Sequence, residues 1–375
     1  MTATAAPSSV RVPFGSLDLD YRSRRSEIDA AVSRVLSRGR FILGEEVEAF
    51  ERDLAGYLGV PHVVACASGT DAIAIALEAA GVRPEDEVLL PANACVPVIA
   101  GVRLTGARPR LSDVDRETLT LSVADAERAV GPGVRFVLAV HLYGGLADVD
   151  GLRSLARKQN LVLVEDCAQS LGAERGGGRA GSFGATAAFS FYPTKNLGAY
   201  GDAGAVATPD RDTARRARLL RQYGWSRRDF AEIEGRNSRM DELQAAVLRA
   251  KLPFLDADNE RRRAIAARYD EAFCNLPVAL LERRAGTTWA PHLYPVRTPS
   301  RDGLRDHLSA RGIETAIHYP VPLHRHPAYA FLGHQPGDFP VAEEASATVL
   351  SLPLYPTLTD AQVDAVTSGV RSFFE

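Results

Sequence analysis

The sequence predicts an α/β protein, with a large domain around a mainly parallel sheet and a smaller α+β domain after it. Three observations predict this. Short, almost wholly apolar runs recur at HVVAC, EVLLP, VRFVLAV and LVLV, the pattern of strands buried on both faces. Segments with helical spacing separate them. Past about residue 250 this alternation gives way to a long helix and a Pro/His-rich stretch. The large domain is placed at 10–250 and the small one at 251–375, with residues 1–9 expected to be a disordered N-terminus.

In order along the chain, SEIDAAVSRVLSRG has helical spacing and stops at Gly39, and VEAFERDLAGYLG is an amphipathic helix stopping at Gly59; glycine just past the last apolar position is a helix stop signal. HVVAC is a buried strand, and SGT opens the helix DAIAIALEAAG. EVLLP is a strand, followed by a small-residue helix around Ala100. VRFVLAVHLYG, LVLVEDCAQ, AAFSF and AGAVAT are further β-rich runs, with Arg-rich helices such as VDGLRSLARKQN and DTARRARLLRQYG among them. MDELQAAVLRAKL and a helix from about Asp256 to Phe273 lead into the small domain, where HLYPV, a helix near Arg305 and two closing helices follow.

Composition narrows the function. A net charge of −3 gives no electrostatic footprint for nucleic acid. No apolar run is long enough to span a bilayer, and MTATAAPSSV lacks a signal pattern. Cys66, Cys95, Cys167 and Cys274 show no C-x-x-C spacing, which reads as free thiols in a reducing, cytoplasmic setting. Only three lysines occur, Lys158, Lys195 and Lys251, so each merits inspection.

Three segments carry chemistry. In FSFYPTKNLGAYGDAGAV, Lys195 follows a strand ending at Ser190 and Phe191 and enters a glycine-rich turn. Lysine is the residue of Schiff bases, and desolvation makes its amine nucleophilic. In LVLVEDCAQS, Asp166 closes an apolar strand, where open α/β sheets place ligand-binding groups. A carboxylate there can hold a protonated pyridine nitrogen, and Gln169 can reach the ring's phenolic oxygen. In CASGTDAIAIAL, strand, Ser68-Gly69-Thr70 and helix form a phosphate cradle of free N–H groups at a helix N-terminus. Singly, these are also what a surface lysine, a turn-capping aspartate and a serine N-cap give. Together, in this order, they are what an enzyme using pyridoxal 5′-phosphate (PLP) needs.

The sequence resembles the DegT/DnrJ-type sugar aminotransferase family along nearly its whole length. The likeness includes RGRFILGEEVEAFE, HLYGGLADVD, GRNSRMDELQAA, HYPVPLHRHPAY and LSLPLYPTLTDAQV besides the segments above. The resemblance implies the three-layer aspartate aminotransferase fold (fold type I). It makes Lys195 the Schiff-base lysine and proton shuttle, Asp166 the pyridinium partner and Gln169 the neighbour of the ring oxygen. It makes Gly69, Thr70 and Ser190 phosphate binders. It also implies that Asn237 reaches the phosphate of a neighbouring subunit, hence a homodimer, and that His318 and Tyr319 line the substrate side. Cys95 stands where many members carry an aromatic ring that stacks on PLP.

The activity implied is transfer of an amino group from L-glutamate, through the pyridoxamine phosphate form, to a keto sugar linked to a nucleotide diphosphate, for an antibiotic sugar or a cell-surface glycan. Arg221, Arg227, Arg228 and Arg239 are candidates for the diphosphate. His318, His324 and His326 lack partners at metal-ligand spacing, and no metal is expected. Alternatives are a keto-cyclitol aminotransferase and a PLP-binding regulatory protein without turnover. Dehydratase or epimerase chemistry is disfavoured, because dehydratase relatives carry histidine where Lys195 stands.

Overall fold

The computed structural model describes residues 10–375, and the disorder expected of residues 1–9 lies outside them. Seven strands form the main sheet: β1 (His62–Cys66), β2 (Glu87–Pro91), β3 (Arg108–Ser112), β4 (Val134–Val140), β5 (Val162–Asp166), β6 (Thr186–Ser190) and β7 (Gly204–Thr208). Their spatial order is β1-β7-β6-β5-β4-β2-β3. Pairing is parallel from β6 to β3, while β7 is antiparallel to both β6 and β1. The reversal of β7 gives no sign in the sequence, because GAVAT is buried throughout like its parallel neighbours.

Alternation of side chains across the strands builds three layers. Val64, Cys66, Leu138 and Val140 point to one core, shared with helices α4 (Gly69–Ala79), α5 (Val96–Leu104) and α8 (Arg211–Leu220). On the opposite face, Val63, Ala65, Phe189 and Ala205 meet α3 (Glu45–Leu58) and α9 (Glu242–Lys251). Val137, Ala139 and Leu163 meet α6 (Val123–Ala129) and α7 (Val149–Gln159) on that same face. Before them, α1 (Leu17–Ser23) and α2 (Arg25–Arg38) lead in. Gly39 ends α2 with φ 67°, its N–H bonded to Val35 O at 3.1 Å, as a left-handed C-terminal glycine does.

The C-terminal elements centre on an antiparallel sheet of β8 (Ala279–Leu280), β9 (Tyr294–Arg297) and β10 (Val349–Leu352). Around it lie α10 (Leu255–Phe273), α11 (Arg301–Ser309), α12 (Pro340–Thr348) and α13 (Asp360–Phe374). The closing segment expected as two helices thus has a strand between them. VLSL is a fully buried four-residue run, too short for periodicity to separate strand from helix. Val12 pairs with Ile313 and joins this same core, so the start of the described chain packs with the C-terminal elements.

Two distant motifs explain each other here. The buried Glu242 carboxylate, at the start of α9, accepts the N–H groups of Gly44, Glu46 and Val47 at 2.8, 2.9 and 2.9 Å. These are donors at the N-terminus of α3, which has no side-chain cap of its own. Glu242→Ala leaves them buried and unpaired, and should lower stability by about 2–4 kcal/mol, read from urea unfolding.

Candidate active site

Register assembles the site before any side chain is considered. Cys66 and Ser190 both pair with Gly204, and Asp166 pairs with Val140 and Ala188. The carboxyl ends of β1, β4, β5 and β6 therefore share one edge, where ligands bind in open α/β sheets. A cavity of about 320 Å³ opens there, lined by Gly69, Thr70, Asp166, Gln169, Ser190 and Lys195 among others. Those six are residues singled out from the sequence.

The cradle is built by close approach. A Cβ on Gly69 would lie 2.5 Å from Ser190 Cβ, and one on Gly204 would lie 2.2 Å from Ser68 O. Neither position tolerates a side chain. Ser68 caps α4 by accepting Asp71 N–H at 3.1 Å. Ser238 pins this turn from below, donating to Asp71 Oδ2 at 2.8 Å and accepting Ala67 N–H at 3.3 Å. The N–H groups of Gly69 and Thr70, in the first turn, have no intrahelical partner and face an anion-sized space.

Asp166 is buried, with Oδ1 accepting the Ala168 N–H at 2.9 Å. Burial pushes its carboxyl up; the Ala168 N–H, Lys195 and His141 offset this in part. Lys195 experiences the converse: burial pushes its ammonium down, and Asp166, then Cys95, push back. A desolvated amine and a desolvated carboxyl thus face one cavity.

Beneath them lies a polar network that sequence reasoning missed. His141 is fully buried, with Nδ1 accepting Ala147 N–H at 3.1 Å. Its proton therefore sits on Nε2, 2.9 Å from Glu165 Oε2. Glu165 also accepts from the N–H groups of Gly181, Phe183 and Gly184 at 2.9, 2.7 and 2.7 Å. His141, Glu165 and Cys167 are close enough together to suggest a metal site, but the His and Glu donor atoms are already taken by these hydrogen bonds. His141 follows the end of β4 as Cys167 follows that of β5, and that position was its available signal.

Gln169 is held at both ends. Oε1 accepts Tyr143 N–H at 2.7 Å, and Nε2 donates to Tyr319 Oη at 2.9 Å. Tyr319 is thereby placed beside Cys95, whose thiol burial pushes up and Tyr319 pulls partly back. Cys95 itself lines the cavity at the N-cap of α5. His318 faces the other side of Lys195, stacked on Phe14 with ring centroids 5.7 Å apart and bonded through Nδ1 to Ser351 Oγ at 3.0 Å.

Other residues fall elsewhere. Asn237 is exposed, bridges to Gln222 through its backbone and does not line this chain's own cavity. Arg221 is no diphosphate ligand: it is buried in a pair with Glu51 and bonded to Ala65 O at 2.6 Å. Arg239 lies over the Tyr223 ring, and Arg227 over Phe230. His324 turns to Glu343 at 2.9 Å.

A phosphorylated pyridine aldehyde fits this cavity. The Gly69 cradle would take the phosphate, Asp166 would gain a cationic partner that relieves its burial, and Lys195 would offer an amine to the aldehyde. These are the parts of a PLP-dependent transferase. The chain belongs to the DegT/DnrJ/EryC1/StrS aminotransferase family, whose model matches residues 22–371. The family is PLP-dependent, and the relatives most similar to this chain include named transaminases. This chain is similar to dTDP-3-amino-3,4,6-trideoxy-alpha-D-glucose transaminase of Streptomyces venezuelae, at 46% identity over 366 residues and 97% of each chain. It matches the structure of S. venezuelae DesV in complex with a ketimine intermediate with a TM-score of 0.95, at 46% identity, covering 97% of this chain and 99% of that one. NtdA of Bacillus subtilis, solved with bound cofactor PMP, matches with a TM-score of 0.91 at 31% identity, over 97% of this chain and 85% of that one.

Gly69→Ala should weaken PLP binding about tenfold or more. The paired change Gly69→Ala with Ser190→Gly should recover much of it, as read by absorbance titration. Burial, then Lys195, hold the His318 imidazole down to about 4, whereas an unfolded histidine protonates near ~6.5. Between those values the unfolded chain binds more protons, so stability rises with pH. This contribution is complete above about pH 6.5 and is lost as pH falls toward about 4. His318→Gln should flatten that slope in urea midpoints measured across the range, with His292, also pushed down by burial, supplying the remainder.

Proposed function

We propose that this chain transfers the amino group of L-glutamate to the ketone of a nucleotide-diphosphate-linked sugar. The observation that carries the reading is the desolvated Lys195 amine facing the Asp166 carboxyl across a cavity with a phosphate cradle at its rim. The similarity to a dTDP-sugar transaminase supports the acceptor class.

PLP, when bound, supplies an electron sink and carries the amino group between the two substrates. The chain's residues do the rest. The N–H groups of Gly69 and Thr70, with the Ser190 hydroxyl, would hold the phosphate. Asp166 would keep the ring nitrogen protonated. The burial-lowered ammonium of Lys195 is suited to give up its proton, and its Nζ would take a proton from the donor's α carbon and hand it on. Gln169 orients Tyr319 over the pocket from the small-domain side, and His318 lines the substrate approach.

The large domain then comprises 10–250 and the small one 251–375, with the Val12 segment packed onto the latter. We place Asn237 in a homodimer, its exposed side chain reaching the partner's phosphate site. No helix among the described residues is long and apolar enough to cross a membrane, in keeping with a cytoplasmic enzyme.

The test is a two-substrate assay with PLP, L-glutamate and a dTDP-linked keto sugar, reading 2-oxoglutarate by coupled absorbance and the amino sugar by mass. Parallel initial-rate lines and a loss of about 10³-fold or more in Lys195→Ala are expected. Converging lines would refute alternating half-reactions. Amination of a keto-cyclitol alone would replace the acceptor, and absence of keto acid from any amino donor would leave a regulatory protein.

A further inference from the structure

Among the described residues, Lys195 alone lines both the cavity described above and a second of about 480 Å³. The second lies between the segment from Ser16 to Arg24, α10 and the loop around Tyr355. Its wall carries Arg24, Lys251 and Arg262 against two carboxylates, Asp20 and Asp258.

Most of this charge is internally balanced. Both oxygens of Asp258 lie 2.6 Å from Arg24 Nη2, which also brings Arg24 against Asp20. Lys251 Nζ stands 2.7 Å from Asp20 Oδ2 and donates to Gly198 O at 2.6 Å. Two cations and two carboxylates thus offset one another. Arg262 is left over. It is only 6% exposed, donates through Nη1 to Leu354 O at 2.8 Å, and its buried Nε has no partner among the described residues. His292 and His318, also in the wall, are both held below their usual range by burial and add no charge near neutrality. With the Lys195 amine answered by Asp166 across the first cavity, one uncompensated positive charge faces the chamber, and a buried cation calls for a counter-ion.

We propose that this chamber binds a carboxylate of the amino donor, with Arg262 as its counter-ion. The inference rests on the glutamate-donor reading and deepens it. A single carboxylate matches one surplus cation. A diphosphate would concentrate at least two negative charges at one point of a wall that already holds two carboxylates, whereas a dicarboxylate carries its charges on separate ends and brings only one to Arg262. The donor must also present its amino-bearing carbon to Lys195, and this chamber opens on that side chain.

The experiment is calorimetric titration of the PLP-loaded protein with glutarate, a dicarboxylate that has no amine and cannot react. Arg262→Gln should weaken glutarate about tenfold or more, and Arg262→Lys should retain most of the affinity. Thr357→Glu, which sets a carboxylate in the same wall and leaves Arg262 in place, should also weaken it, and it carries the test if Arg262→Gln does not fold. In steady state the KM for glutamate should rise in these variants while that for the keto sugar stays. Equal glutarate affinity in all variants would overturn the proposal. So would displacement of glutarate by pyrophosphate with Arg262→Gln losing pyrophosphate instead, which would give the chamber to the nucleotide. If glutarate binding follows Arg262 but no ketone is aminated, the carboxylate site stands and the aminotransfer reading falls.

Discussion

The approach of three backbones at the edge of the sheet governs this molecule. The turn after β1, the end of β6 and the start of β7 meet so closely that neither Gly69 nor Gly204 has room for a side chain. That approach needs β7 to run against its neighbours, because only then does its first residue lie beside the last residues of β1 and β6. Everything at the site is measured from this junction. It aims the first turn of α4 outward, sets Ser190 against the turn, and delivers the chain after β6 into the loop that carries Lys195.

The second determinant is a shared desolvation. Lys195 and Asp166 are each disfavoured in their charged forms by burial, and each is the main opposite charge that offsets this for the other, after the Ala168 N–H in the case of Asp166. Neither is held by a permanent salt bridge, so both remain available to a third group. By contrast, Glu165 directly below is saturated by four donors and locks His141 in one tautomer. A rigid, satisfied layer thus supports an unsatisfied one, which is how a site holds reactive groups without letting them collapse onto each other.

Much of this was legible in the sequence, and what was not has physical reasons. Lys195, Asp166, Gly69, Thr70 and Ser190 are local signals, since each sits at a strand end or helix start that its neighbours announce. Strand direction is not local: GAVAT reads the same whichever way it runs. The strand VLSL was hidden because a buried run of four residues fits either element. Ser238 and His141 were missed as site residues because their partners, Asp71 and Glu165, lie 167 and 24 positions away. Arg221 was a candidate for the diphosphate, and only tertiary packing shows it buried against Glu51. Asn237 stays outside this chain's own cavity.

The scarcity of lysine has a practical consequence. Of the three side-chain amines, Lys251 is clamped between a carboxylate and a carbonyl, and Lys195 is recessed within the cavity. Lys158 stands on the far end of α7 with 67% of its side chain exposed. Amine-directed coupling therefore favours one lysine, on the helical face that covers the back of the sheet. An enzyme anchored there to a solid support would keep its catalytic mouth turned toward the solution.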